Sequence, residues 1–331
     1  MRKKWLLLIP VLLIVLYLLG PSPATPVYNK NMPAVPAEPA ALEAYIHDNE
    51  AVHKLKPDNE ARIVWVNDSL KQKTDYALVY LHGFSASQGE GDPVHRYIAH
   101  KFGMNLYLAR LAEHGIDTVD AMVNLTADNY WESAKQALAI GQQLGKKVIL
   151  MGTSTGGTFA LQLAAAYPDA VSALVLMSPN IAINNPAAWL LNNPWGLQIA
   201  RGVMGSKYYG KPDTSALGRQ YWCMPYRLEA LVQLQEMLET EMVPATFRSV
   251  RQPTLLLYYY KDDQHQDPTV KVSAEKEMFN ELGTPASLKR SVDIPNAGAH
   301  VIGSYITSHD VPSVVRAVDS FAQDILLLPQ K

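Results

Sequence analysis

The 331-residue chain carries 29 Lys and Arg against 31 Asp and Glu, a formal net charge of -2, and 48% hydrophobic residues. That balance offers no basic field to a phosphate backbone, so nucleic acid is excluded as the natural partner, and the single cysteine, Cys223, excludes an intrachain disulfide framework. Cysteine and histidine do not fall at zinc spacing, and neither a metal nor an organic cofactor is expected.

The chain opens with "MRKK" followed by "WLLLIPVLLIVLYLLG", a charge-free apolar run from Trp5 to Gly20. As a helix it would reach about 24 Å, short of a bilayer core of roughly 30 Å. The basic tip, apolar run and Pro-rich exit read as a signal sequence or a membrane anchor over residues 1–20, which puts the remainder in the periplasmic or extracellular space. Residues 21–60 begin with "PSPATPVYNKNMPAVPAEPA", which reads as an extended linker leading into an N-terminal extension.

From Ala61 onward, short apolar runs alternate with stretches of helical period. "RIVWV", "YALVYL", "NLYLA", "KVILM", "SALVLM", "PTLLLYYY" and "LKRSVDI" read as strands. "DPVHRYIAHKFG", "NYWESAKQALAIGQQLG", "GTFALQLAAAYP" and "VSAEKEMFNELG" read as the helices between them. Uninterrupted Val, Leu and Ile runs separated by helices predict an α/β fold whose mostly parallel sheet is covered on both faces. The alternation lapses over 184–250, which has helical periods, no convincing strand, and Trp189, Trp195, Trp222, Tyr208, Tyr209, Tyr221 and Tyr226. This insert reads as a helical cap over a core made of 61–183 and 251–331.

The chemistry is expected around "VILMGTSTGGTF", residues 148–159. Strand residues there give way to helix formers within a few positions, which forces Ser154 into a rarely populated backbone conformation, with Gly152 and Gly156 leaving room beside it. That is the logic of a nucleophile elbow. A serine hydroxyl needs a base, and His300 in "DIPNAGAHVIG" follows the last strand, at the sheet end from which Ser154 would project. An acid to orient the base is offered three times after "PTLLLYYY", as Asp262, Asp263 and Asp267. Counting from the strand favours Asp262. Counting back from the next helix favours Asp267, the choice made here, with Asp262 and Asp263 as alternatives. The "LHGF" loop would bring the Phe84 backbone N–H beside that of Thr155 as an oxyanion hole. His82 in that loop reads as a structural residue, and Glu90, Asp92 and His95 as a surface turn, with tuning of the pocket as the alternative.

In "LHGF" at 81–84, "GTSTG" at 152–156, an acid after the penultimate strand and "GAH" at 298–300, the chain resembles the α/β-hydrolases, particularly capped serine esterases and lipases of the monoacylglycerol-lipase and carboxylesterase type. The resemblance covers roughly Ala61 to Gln323. It implies the α/β-hydrolase fold and cleavage of a small-molecule carboxylic ester, lipophilic to suit an aromatic cap, through an acyl-serine formed by Ser154, His300 and Asp267. An iminopeptidase of the same fold is the alternative enzyme and would need a cap carboxylate such as Glu229, Glu236, Glu239 or Glu241. A hydrolase-fold module that binds a ligand without turnover is the alternative outside catalysis.

Overall fold

In the computed structural model, which describes residues 2–330, the chain begins with α1 (Arg2–Leu18) and α2 (Pro39–Ala51) and then enters the sheet through β1 (Arg62–Val64) and β2 (Thr74–Leu81). Residues Ala77 to Leu81 of β2 are all fully buried, as a strand covered on both faces requires. The chain continues through α3 (Val94–Lys101), β3 (Asn105–Leu108), α4 (Ala127–Leu144), β4 (Gly145–Thr153), α5 (Thr155–Ala166) and β5 (Ala173–Met177). After β5 come α6 (Gly196–Met204), β6 (Tyr208–Tyr209), α7 (Ala216–Tyr221), β7 (Tyr226–Arg227), α8 (Leu228–Glu241) and α9 (Pro244–Ser249). The last stretch is β8 (Thr254–Tyr258), β9 (Tyr260–Asp262), β10 (His265–Gln266), α10 (Val272–Glu281), β11 (Lys289–Asp293) and α11 (Val311–Asp324).

The main sheet has the order β1-β3-β2-β4-β5-β8-β11, parallel throughout except that β1 runs antiparallel to β3. Alternate residues feed two cores. Ala77, Val79 and Leu81 pack with α2, α4 and α5 on one face, while Leu78 and Tyr80 pack with α3 and α11 on the other. β2 has β3 on one side and β4 on the other, so the chain changes direction across the sheet here, and a crevice opens at the carboxyl ends of these strands.

Between β5 and β8 the insert is helical, with one departure from expectation. Tyr208–Tyr209 and Tyr226–Arg227 form a two-residue antiparallel ladder, too short to register as alternation in the sequence. It stacks Tyr209 on Tyr226 with ring centroids 5.4 Å apart.

The N-terminal extension also differs from a free linker. α2 buries Leu42 and Ile46 against the core and is capped by the Glu38 carboxylate, which accepts the N–H groups of Ala40 and Ala41. Before it, the Pro-rich stretch is a strap. Asp128 accepts the N–H groups of Val27 and Tyr28, the Trp131 indole and Lys135 ammonium donate to the carbonyls of Asn29 and Asn31, and the Tyr28 hydroxyl meets Thr240 of α8. Proline has no backbone N–H, so a Pro-rich segment is held largely through its carbonyls and through the few N–H groups of its other residues. Trp195 of the insert donates its indole N–H to Leu16 O at 3.0 Å and its backbone N–H to Pro21 O at 2.9 Å. No helix among the described residues is long and apolar enough to cross a membrane.

Candidate active site

β4 runs to Thr153 and α5 starts at Thr155, so the reversal falls on Ser154 alone, sharper than the few intervening residues expected from the sequence. Ser154 has φ 52° and ψ -120°, a conformation costing on the order of 1–3 kcal/mol for a residue with a side chain. It is over-determined by its surroundings. The Ser154 N–H donates to Met177 O at 2.9 Å, and its carbonyl accepts from Gly157 and Asn180. Glycine is obligatory beside it. A Cβ at Gly156 would lie 1.9 Å from the Leu81 carbonyl oxygen of β2, and one at Gly152 would lie 2.4 Å from the Gly156 backbone.

His300 lies in the loop after β11, and its Nδ1 is 2.6 Å from Asp267 Oδ2. Asp267 is buried, and its other oxygen accepts the N–H groups of Thr269 and Val270, which fixes the carboxylate. Asp262 and Asp263 lie elsewhere. They sit in an exposed hairpin formed by β9 and β10, where Asp262 accepts from the backbone of Gln264 and His265 and from the His265 ring, and Asp263 accepts the Tyr260 hydroxyl. Burial depresses the His300 pKa, but the Asp267 carboxylate, by charge and hydrogen bond, and the Glu90 charge carry it above the ordinary imidazole value. With Nδ1 engaged, His300 Nε2 is buried without a hydrogen-bond partner.

Ser154, His300 and Phe84 border one cavity of about 540 Å³, lined on the side of the insert by Leu190, Leu191, Ile199, Val203, Leu231 and Leu234. The Gly83–Phe84 turn packs against the serine, since a Cβ on Gly83 would lie 2.9 Å from Ser154 Cβ. Thr155, first residue of α5, has an N–H with no intrahelical acceptor. Ser154, His300 and Phe84 thus border one cavity, with Asp267 behind His300 and Thr155 next to Ser154 in the chain.

Glu90 and His95 do not lie on a surface turn; both are buried, and only Asp92 keeps partial exposure. Glu90 Oε2 accepts the Gly83 N–H at 2.5 Å, and Glu90 borders the cavity. Burial pushes its carboxyl up to about 7, against the Gly83 N–H, His300 and Tyr80, which act to lower it. The "GEG" run carried the signal. A Cβ at Gly89 or Gly91 would lie within 2.6 Å of the Tyr221 or Tyr80 ring, so the flanking glycines let the turn sink inward and take the acid with it. His95 contacts Tyr80 and bonds Gln88 O, and burial lowers its pKa to about 3. His82 acts structurally, its ring bonding Gly83 O and the Leu111 N–H, and burial lowers it to about 4. No group of His, Cys, Asp and Glu among the described residues has the arrangement of a metal site.

Residues 68–209 match the family model described as alpha/beta hydrolase fold. Among curated proteins, a pimeloyl-[acyl-carrier protein] methyl ester esterase of Nitrosomonas europaea is 26% identical over 148 residues, 43% of this chain and 51% of that enzyme, so the match spans about half of the relative. Among solved structures, a metagenome-derived lipolytic enzyme of the LipS and LipT study superposes with a TM-score of 0.63 at 15% identity, over 82% of this chain and all of that one. The monoacylglycerol lipase of Paleococcus ferrophilus gives 0.56 at 14% identity, over 78% of this chain and 96% of that one.

Proposed function

The chain has the alpha/beta hydrolase fold, and from that premise we propose that it hydrolyses carboxylic esters through an acyl-serine intermediate, with Ser154 as nucleophile, His300 as base and Asp267 as the acid orienting it. The observation that carries this reading is the shared cavity: a serine on a forced turn and an imidazole whose Nδ1 is held by a buried carboxylate border the same apolar space.

In the first half-reaction Ser154 Oγ bonds to the ester carbonyl carbon while its proton passes to His300 Nε2. The carbonyl oxygen becomes an oxyanion facing the N–H groups of Phe84 and Thr155, each such donor worth about 10² to 10³ in rate. The C–O bond to the alcohol then breaks, and the leaving oxygen takes the proton from His300. Water repeats the sequence on the acyl-serine, releasing the acid and restoring Ser154. The apolar lining supports a lipophilic acyl or alcohol group as the main recognition element.

The peptidase alternative wants a carboxylate in the cap to hold a free amine. Glu229 is taken by Arg201 and Arg227, Glu236 by Asn192 and Glu239 by Gln235, and none of these nor Glu241 borders the cavity. A fluorophosphonate probe tests the main reading: the wild type should be labelled and Ser154→Ala should not. p-Nitrophenyl esters of rising chain length should be turned over, whereas release from a prolyl amide alone would favour the peptidase, and tight ligand binding without labelling or turnover would favour the non-catalytic module. The basic and apolar N-terminus supports export as part of this proposal, and cell fractionation that recovers the protein only in the cytoplasm would refute it.

A further inference from the structure

Glu90 is a buried acid at the cavity that the chemistry above does not use, and its position is specific. It lies in the 3-10 turn Gln88–Gly91, fully inside the protein. Oε2 accepts the Gly83 N–H, and the site a Gly83 Cβ would occupy is 2.8 Å from Glu90 Oε1 and 2.9 Å from Ser154 Cβ. Glu90, the oxyanion turn and the nucleophile therefore meet within one layer of atoms. The same turn is tied to the loop that carries His300, because the Ser304 hydroxyl donates to Gly89 O at 2.8 Å and Pro93 pairs with Ser304 across an isolated bridge.

We infer that Glu90 is a positioning residue of this site, its carboxyl fixing the Gly83–Phe84 turn over Ser154 and adding a second charge, besides that of Asp267, that His300 meets. The inference rests on the ester-hydrolase reading. The titratable groups facing Glu90 are Tyr80 from β2, Tyr130 from α4 and His300 from the loop after β11, with Asp92 beyond it on its own turn. Of these, His300 is the one that becomes cationic during the proposed reaction, and an anionic Glu90 favours that cation. Because the two groups interact, the acid limb of the rate profile belongs to the pair rather than to His300 alone. The backbone contact has a separate role. A donor spent on Glu90 holds Gly83, and through it the Phe84 N–H, in the place where an oxyanion would form.

Two substitutions separate these roles. Glu90→Gln keeps an acceptor for the Gly83 N–H and removes the charge; Glu90→Ala removes both. The kcat and KM for a p-nitrophenyl ester and the rate of fluorophosphonate labelling are followed from about pH 5 to about pH 9, with the His300 imidazole titrated in parallel by NMR. Glu90→Gln should move the acid limb and the His300 titration together to lower pH by up to about one unit, the shift being limited by the partial ionisation of Glu90 in that range, with the plateau labelling rate held within a few-fold. Glu90→Ala should lower kcat by about 10- to 100-fold with KM little changed. A Glu90→Gln profile that overlays the wild type, or effects confined to KM as a substrate-contacting carboxylate would give, overturns the inference. Absence of labelling and turnover in the wild type overturns instead the ester-hydrolase reading, so the two failures are told apart.

Discussion

Ser154 keeps a costly backbone conformation because its neighbours hold it: Met177, Gly157, Thr158 and Asn180 through hydrogen bonds, and Gly156 by lacking a Cβ that would strike Leu81. The proposed roles give sharp expectations at this scale. Ser154→Ala should reduce ester kcat by about 10⁴- to 10⁶-fold with melting temperature nearly unchanged, since the side chain makes little of the packing. Asp267→Asn should cost about 10⁴-fold by presenting the wrong hydrogen-bonding partner to His300 Nδ1. Asp262→Asn, in the exposed hairpin, should leave kcat within a few-fold, and a large loss there would transfer the acid's role to that residue. The pH dependence has a definite sign. The reaction needs neutral His300, and its raised pKa moves the loss of kcat/KM on acidification to a higher pH than an unperturbed imidazole would give.

At the scale of elements, the close contact between α5 and β2 is what aims the nucleophile. Gly156→Ala would press a methyl group into the Leu81 carbonyl, and moving α5 away should cost about 1–3 kcal/mol and lower activity together with stability, read by thermal denaturation and fluorophosphonate labelling of the same sample. The N-terminal strap is a second such element. Asp128→Ala removes the acceptor of two strap N–H groups and should destabilise by about 1 kcal/mol, with proteolysis near Val27 rising before the core melts. Equal protease resistance in the two proteins would show that Trp131, Lys135 and Tyr28 hold the strap without Asp128.

For the molecule as a whole, buried titratable groups set opposing slopes of stability with pH. His82 and His95, depressed to about 4 and about 3, stay neutral in the fold while the unfolded chain takes up protons below the ordinary imidazole value of 6.5. His114, also depressed by burial, acts in the same direction. Their contribution is present above about 6.5 and is lost as pH falls towards 3. Glu90, raised by burial from 4.5 to about 7, works the other way: its contribution is present below 4.5 and is lost as pH rises through 7. Denaturant midpoints should therefore fall on acidification from pH 6.5 in the wild type, and more steeply in Glu90→Gln, where one of the opposing groups is gone. Much of this architecture was legible in the sequence, because it depends on local pattern. Continuous apolar runs such as "YALVYL" demand cover on both faces, and a strand meeting a helix at "GTSTG" demands the strained turn at Ser154. The order of serine, acid loop and "GAH" could be read for the same reason. The choice between Asp262 and Asp267 could only be argued by counting, since hydrogen-bonding partners far along the chain separate them: Asp267 meets His300, 33 residues away, while Asp262 turns back on its own hairpin. The strap, the burial of Glu90 and the role of His95 also belong to tertiary structure. A Pro-rich segment reads alike whether or not donors from α4 cross it, and an acid between two glycines reads as a surface turn until Tyr80 and Tyr221 pack against them. Sequence determined the main strands and helices of the core and their order, because periodicity is a local property; only the packed structure decided the short ladders and which polar groups are buried together, because desolvation and pairing depend on neighbours that the chain order does not name.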